Sequence, residues 1–257
     1  MPQVRDQAVC IRHWDWSETS QTVSLFTRES GLVRGIAKGA KRERAPFSGG
    51  IELLTRGEVV AILKPGADLA TITAWDLQET FPAIRRSLLS FHCAMYMADA
   101  AQHAIHDHDP HGAMFDALVG ALRSLGAGTD RLVVLRFLVA TLAETGWAPE
   151  LSRDVLTGGP LAGATTYGFA PSLGGFTGEK IGAVTGSSTP GPVWRVRAET
   201  LELLRAVAPS PTRGTLSAAV HADGAVERAG RLLNAYLSYV LGRELPTAAA
   251  VFGTTPT

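Results

Sequence analysis

The sequence predicts an α+β protein. A small N-terminal β-barrel over residues 1–80 is followed by an α-helical domain over residues 81–257, with a Gly-rich irregular lobe at about 150–194. Three observations predict this. Short apolar and β-branched runs separated by turn residues fill the N-terminal part. From Arg85 onward the apolar period lengthens to that of a helix. Between Thr157 and Pro192, Gly, Ser, Thr and Pro leave no long periodic element.

The first strand is read in "QAVCIRHW", and "WSETSQ" supplies the turn after it. "TVSLFTRE" is the second strand, Gly31 breaks it, and "LVRGIAK" is the third. "GIELLTRGEVVAIL" sets Arg56-Gly57 between two apolar runs, which reads as a bend or bulge inside paired strands. "KPGAD" is a turn. In "LATITAWDLQE" Leu69, Thr71 and Thr73 alternate with Ala70, Ile72 and Ala74, giving a strand with two distinct faces. About five short strands, with no helical run between the first few, fit a small barrel such as an OB-fold.

The helical half opens with "SLLSFHCAMYMADAAQHAI", whose stripe is read as Leu88, Phe91, Met95 and Ala98, flanked by Leu89, His92 and Tyr96. "GAMFDALVGALRSL" repeats the period through Phe115, Leu118, Val119, Leu122 and Leu125. "TDRLVVLRFLVATLAETG" has a cap candidate at Thr129/Asp130, is apolar nearly all round and stops at Gly146. Helical pattern returns in "AETLELLRAVA" and in "AVERAGRLLNAYLSYVLGRELP". There Leu232, Leu233, Tyr236, Leu237 and Val240 share a face and Gly242 ends the run. The tail "AAAVFGTTPT" is expected to be partly frayed.

The chain has 257 residues and is 46% hydrophobic, enough to bury a core. With 24 basic and 24 acidic side chains, no whole-molecule charge draws it to nucleic acid or membrane, so such affinity must be local. Cys10 and Cys93 form no C-x-x-C pair, which excludes a cysteine zinc site, and two lone thiols fit a reducing cytoplasm. Neither a signal-peptide core nor a membrane-length apolar run is visible.

Local charge is concentrated in "LVRGIAKGAKRERAPFSGG". From Arg34 to Arg44 there are five cations, Arg34, Lys38, Lys41, Arg42 and Arg44, against the single acid Glu43. Flexible cations on a barrel strand and its loop suit a phosphate backbone. Arg12 and Lys64 are further candidates, and Trp14 and Trp16, which share strand parity, are candidates for stacking on bases. Phe26 and Phe47 are nearby aromatics of the same kind, and Phe26 reads as core. The competing explanation is a solvated hairpin that protects a sheet edge, with the Trp pair covering the barrel's end.

Other chemistry fares worse. "HAIHDHDPHG" offers His103, His106, Asp107, His108, Asp109 and His111 as metal-ligand types, but without H-E-x-x-H spacing or a placed base. A polar helix terminus explains it as well. "GGFTGEKIG" fails as a Walker loop, since Glu179 precedes Lys180 and Ile181 follows it. No nucleophile elbow is present, and His92 does not face Cys93 on a helix.

The residues then carry a resemblance. "SETSQTVSLFTRESGLVRGIAKGAKR", "LQETFPAIRRSL", "LRFLVATLAETGWAP" and "RLLNAYLSYVLGRELPT" together resemble, in order, the RecO family of bacterial DNA repair and recombination mediators. The resemblance implies an OB-fold followed by a helical domain. It implies binding of single- and double-stranded DNA, annealing of complementary strands, and help in loading RecA onto strands coated by the single-stranded-DNA-binding protein. The implied partners are RecR and the C-terminal tail of that coating protein, in the bacterial cytoplasm at the nucleoid. No catalytic residue, cofactor or membrane is implied. Many members carry a four-cysteine zinc site. Here Asp154 and Thr157 stand at the first pair, and the second falls near Gly178 and Ile181, so the lobe is expected to be zinc-less and held by packing and turns. An alternative keeps the helical domain as a protein-interaction adaptor, with Arg136, Arg228 and Arg231 as rim charges and DNA contact incidental. A metal hydrolase built on the His/Asp cluster, with His106 and His108 essential, is the third reading.

Overall fold

Strand β1 (Gln3–Asp15) pairs with two neighbours in succession. Its first half lies antiparallel to β4 (Arg56–Ile62), from Gln3↔Ile62 to Val9↔Arg56. Its second half lies antiparallel to β2 (Gln21–Thr27), from Ala8↔Thr27 to Asp15↔Gln21. With β3 (Gly31–Ala37) and β5 (Ala70–Glu79) the strands close a barrel in the order β1-β2-β3-β5-β4. All pairs are antiparallel except β3 with β5, which meet in parallel at Gly35↔Ala70 to Ala37↔Ile72. This is the OB-fold, and closure removes the exposed edges of the sheet. Ala8, Cys10, Val23, Leu25, Val33, Val59, Ile72 and Trp75 fill its interior.

The computed structural model describes residues 3–47, 49–63, 66–178, 191–208 and 224–253. They form two compact units, Met1–Asp130 and Arg131–Thr257.

Two strand expectations need correction. A register shift does sit at Arg56/Gly57, but β4 begins only at Arg56. The apolar run before it is a turn, because Leu54 takes a left-handed φ of 55° and its N–H donates to Cys10 O at 2.8 Å. On β5 the simple alternation fails after Ile72. Val60 pairs with Ala74 and Ala61 with Ile72, so Thr73 is an extra residue and the faces exchange. Trp75, not Ala74, therefore enters the core.

After a short 3-10 turn (Pro82–Arg86), α1 (Leu88–Ala104) starts at Ser87, whose side chain accepts the Ser90 N–H at 3.3 Å. The expected stripe of α1 holds only in part: Ala98 and the flanking Tyr96 are buried, but its first turn is not. Leu88 and Phe91 are exposed, and the buried side runs through Ser90, Cys93, Ala94, Met97 and Ala101. The helix is apolar nearly all round, so period alone could not choose; its small residues allow close approach to β1. The side of α2 (Gly112–Ser124) is as expected, and Phe115 meets Phe26 edge-to-face at 5.7 Å. Arg28 forks onto Asp116 at 3.0 and 2.9 Å, and Arg123 onto Glu79 at 2.9 and 2.8 Å, so both ends of α2 are clamped to the barrel.

The link between α1 and α2 docks on β3, where His108 N–H donates to Leu32 O at 3.1 Å. Gly31 permits this. Its φ is +68°, and a Cβ there would lie 2.3 Å from Asp109 O.

In the second unit α3 (Asp130–Glu144) buries Val134, Leu135, Leu138 and Leu142 and ends at Gly146, as the sequence predicts. The lobe expected to be irregular contains a small antiparallel sheet: β6 (Thr166–Ala170), β7 (Gly175–Thr177) and β8 (Trp194–Arg197), in the order β7-β6-β8. These strands are too short to show a period. Helices α4 (Ala198–Val207) and α5 (Ala225–Leu241) follow, with Gly242 closing α5. The tail is not simply frayed: Ala248–Phe252 forms α6, and Phe252 lies so close to Gly230 that a Cβ there would be 2.5 Å from its ring.

A carboxylate holds the lobe together. Asp154 Oδ1 accepts the N–H groups of Leu156 at 2.9 Å and Thr157 at 3.2 Å. Its Oδ2 accepts from Thr177 Oγ1 at 3.1 Å and Gly178 N–H at 2.7 Å. These are the two places where the resembling family carries its cysteine pairs; Ile181 lies outside the described residues. A structural zinc does not fit this donor set, which has no thiolate or imidazole and whose carboxylate is already saturated by donors.

Burial pushes the Asp154 carboxyl up, but the hydrogen bonds from Gly178, Leu156, Thr157 and Thr177 outweigh it and hold its pKa below the usual aspartate range. A lowered folded-state pKa means that the stabilisation is complete above the ordinary aspartate range and is lost as pH falls through the lowered value. Asp154→Ala is expected to cost about 2–3 kcal/mol in urea unfolding at pH 7. The gap between variant and wild type should shrink on acidification below that range, and a chelator should leave both unchanged.

Candidate nucleic-acid interface

The loop between β3 and β4 carries the basic run and plugs one end of the barrel. Its Ala40, Phe47 and Ile51 are buried in the barrel core. Its backbone is held from three sides. Lys41 N–H donates to Thr19 O at 3.1 Å, Gly39 N–H to Ser20 Oγ at 3.1 Å, and Trp75 N–H to Pro46 O at 2.8 Å. Gln21, itself buried, accepts the Ile51 N–H at 2.9 Å. The apolar residues of the loop point in, so Lys38, Lys41, Arg42 and Arg44 are left pointing out and exposed. Phe47 is part of this plug and offers no stacking surface.

The candidate cations fall into three groups. Arg12 Nη2 sits 2.5 Å from Asp99 Oδ1 and 3.3 Å from His103 Nε2. Arg34 is paired with Asp107, and Lys41 Nζ with Asp15 Oδ1 at 2.6 Å. The hydrogen bond and charge of Lys41 hold the Asp15 carboxyl below its usual range. Among the described residues Lys38, Arg42 and Arg44 make no ion pair. These three line an open groove of about 550 Å³ whose other wall is Thr71–Thr73 of β5. Lys64 lies outside the described residues.

The aromatics are placed by register. On the outer face of the barrel Arg12 pairs with Ser24 and Ser24 with Arg34; in the next row Trp14 pairs with Thr22 and Thr22 with Ile36. Trp14 is 53% exposed and Trp16, in the turn after β1, 67%. Trp14 also lines a groove with Lys41 that Lys38 and Arg44 do not line. Phe26 is core, as its sequence context predicts.

The His/Asp cluster does not converge. His103 serves Arg12 and Asp99, Asp107 serves Arg34, and His111 Nε2 is 3.2 Å from Asp109. Among the described residues no three such side chains meet where a metal would sit. Cys10 and Cys93 are buried, and burial pushes the Cys10 thiol up, away from the nucleophilic thiolate. Of the suggested rim charges Arg136 is exposed, while Arg231 is bonded to Glu227 at 2.7 Å and to Phe252 O at 2.9 Å. Asp99 and Asp107, which decide whether Arg12 and Arg34 are available, carry no motif; only the docking of α1 and its following link on β1–β3 brings them there.

Comparison with known proteins covers both halves of the chain. Residues 1–81 match the family described as Recombination protein O N terminal, and residues 85–249 match Recombination protein O C terminal. A protein of Anaeromyxobacter dehalogenans (strain 2CP-C), named DNA repair protein RecO, is 32% identical over 95% of this chain and 94% of its own length. Proteins of the same name from Anaeromyxobacter sp. (strain Fw109-5) and Pelotomaculum thermopropionicum are 31% and 29% identical, over 91% and 100% of this chain and 90% and 97% of their own.

Anchors and cations of the loop should separate in their effect on stability. Phe47→Ala is expected to cost about 3–5 kcal/mol. Arg42→Ala and Arg44→Ala should each stay within about 0.5 kcal/mol of wild type. Urea unfolding followed by circular dichroism checks both.

Proposed function

The chain belongs to the RecO family, and from that premise we propose that it is a DNA repair protein whose barrel grips the phosphate backbone of single- and double-stranded DNA. It anneals complementary strands and, with RecR, helps load RecA onto strands coated by the single-stranded-DNA-binding protein. The observation that carries the DNA contact is the set of unpaired cations, Lys38, Arg42 and Arg44, on a loop whose backbone is already fixed. Lys41 joins them, because its partner Asp15 is exposed and such a pair is easily exchanged for a phosphate.

The reading needs no bond chemistry. Two strands repel through their phosphates, and neutralising part of that charge lets them approach while base pairing supplies the free energy. Contacts to phosphate carry no sequence information, which suits a protein acting on any break.

One observation favours the adaptor reading as a companion. Leu88 and Phe91 are exposed in the first turn of α1, which follows Arg86 and the Glu52-paired Arg85 in sequence. An acidic peptide with an apolar end, such as the coating protein's tail, suits that combination.

With four phosphates neutralised, by Lys38, Lys41, Arg42 and Arg44, log affinity for a single strand should fall with log salt at a slope of about −3. Replacing Lys38, Arg42 and Arg44 together by Ala should flatten this slope and weaken binding about tenfold or more at low salt. A salt-independent affinity, or a triple variant that binds and anneals like wild type in a fluorescence anisotropy and strand-annealing assay, would sink the assignment.

A further inference from the structure

Beside the basic loop, on the outer face of β1–β3, lies a second pocket of about 660 Å³. Its floor is the strand row Arg12, Ser24 and Arg34, with Trp14 at one side. The end of α1 and the link after it supply Gln102, His103, His106 and Asp107. The pocket thus holds one exposed flat ring, two guanidinium groups, imidazoles and an amide. The Oε1 of Gln102 is buried and has no hydrogen-bond partner. A buried acceptor without a donor is costly, and its side chain belongs to the pocket's lining.

The two arginines differ. Asp99 is 5% exposed, so its 2.5 Å pair with Arg12 belongs to the foundation that joins α1 to the barrel. The Arg34–Asp107 pair is open: the Asp107 side chain is 37% exposed and that of Arg34 51%. An exposed pair of this kind contributes little and yields to a stronger anion. The Asp107 carboxylate takes Nη2 of Arg34, a donor that a phosphate oxygen would otherwise accept from.

We propose that this pocket takes one unstacked nucleotide of single-stranded DNA. The base lies on Trp14, the Gln102 side chain turns to bring its Oε1 to a donor on the base edge, and Arg34 passes from Asp107 to the adjoining phosphate. A base inside a duplex has both faces covered by its neighbours and its pairing edge in use, so the pocket selects single strands while the basic loop does not. Asp107 is then an internal competitor that lowers affinity for single strands. This inference rests on the DNA-binding reading above and adds to it the discrimination between strand states.

The test uses the full chain, a labelled single-stranded oligonucleotide and the matching duplex. Trp14→Leu is expected to weaken single-strand binding about tenfold, leave duplex binding unchanged and leave the salt slope unchanged, because stacking involves no counterion. Trp14→Phe, which keeps a ring, should recover most of the loss and guards against a folding defect. Asp107→Asn should tighten single-strand binding several-fold and steepen the salt slope by about 0.7, since Arg34 is released for one more phosphate. The pocket is overturned if Trp14→Leu and Trp14→Phe behave alike, if duplex binding falls with single-strand binding, or if Asp107→Asn leaves affinity unchanged. Should those results appear while the Lys38/Arg42/Arg44 variant still loses DNA, only the pocket falls. If the wild type binds neither strand state, the DNA reading and the pocket fall together.

Discussion

The barrel closes because β1 serves two partners, and it can do so because of a bulge. The register of β1 with β2 shifts between Cys10 and Arg12, so Ile11 is the extra residue. Before the shift the even-numbered residues Ala8 and Cys10 face the core. After it Arg12 and Trp14 pair with Ser24 and Thr22, whose neighbours Val23 and Leu25 are the inward residues. Without the extra residue Arg12 and Trp14 would continue the inward row, and a guanidinium and an indole would have to enter the core. The bulge bends the strand from one neighbour to the other and in the same step turns the basic and aromatic side chains outward. Barrel closure and the surface chemistry of β1 have one cause.

The neutral total charge is resolved by the same geometry. The helical hairpin packed on the barrel brings Asp99 and Asp107 to Arg12 and Arg34, and the end of β1 brings Asp15 to Lys41. Charge on the strands is matched at once by fixed neighbours. Charge at Lys38, Arg42 and Arg44 of the β3–β4 loop is not, because that loop turns its apolar residues into the barrel and these cations into solvent. Acidic and basic residues are equal in number along the chain but not in their distribution over its surface, and the field near the loop is set by the local excess.

Much of this was legible in the sequence. The five strands, the turns at Gly31 and after Asp15, the face of α2 and the ends of α3 and α5 follow from residue types that act locally. What could not be read depends on partners. The bulges at Ile11 and Thr73 exchange faces within strands whose alternation looks regular. The buried side of α1 cannot be chosen by period, because nearly every side of it is apolar. The lobe sheet escaped notice because its strands span only three to five residues. At the candidate interface the basic run was visible, but its division into paired and unpaired cations was not, since Asp99 and Asp107 lie far from it along the chain. Asp154 was visible only as a position lacking a cysteine, yet its two oxygens tie both turns of the lobe.

Rigidity of the loop bears on what it can recognise. Ordering a free loop on binding would cost about 1–2 kcal/mol per residue of backbone entropy. Here that cost has been met in folding, through Phe47 and Ile51 in the barrel end and the backbone bonds to Thr19 and Trp75. Only the ends of the Lys and Arg side chains remain to be ordered. A fixed backbone with flexible cationic tips can follow a phosphate chain of any sequence and release it again when a second strand competes for the bases. A surface that also ordered the bases would hold a strand more tightly but would oppose annealing, because the bases must be free to pair. The separation of Lys38, Arg42 and Arg44 from Trp14 therefore matters: these three cations line a groove that Trp14 does not share, so under the proposed reading their grip on a backbone can be relinquished without moving a base on Trp14.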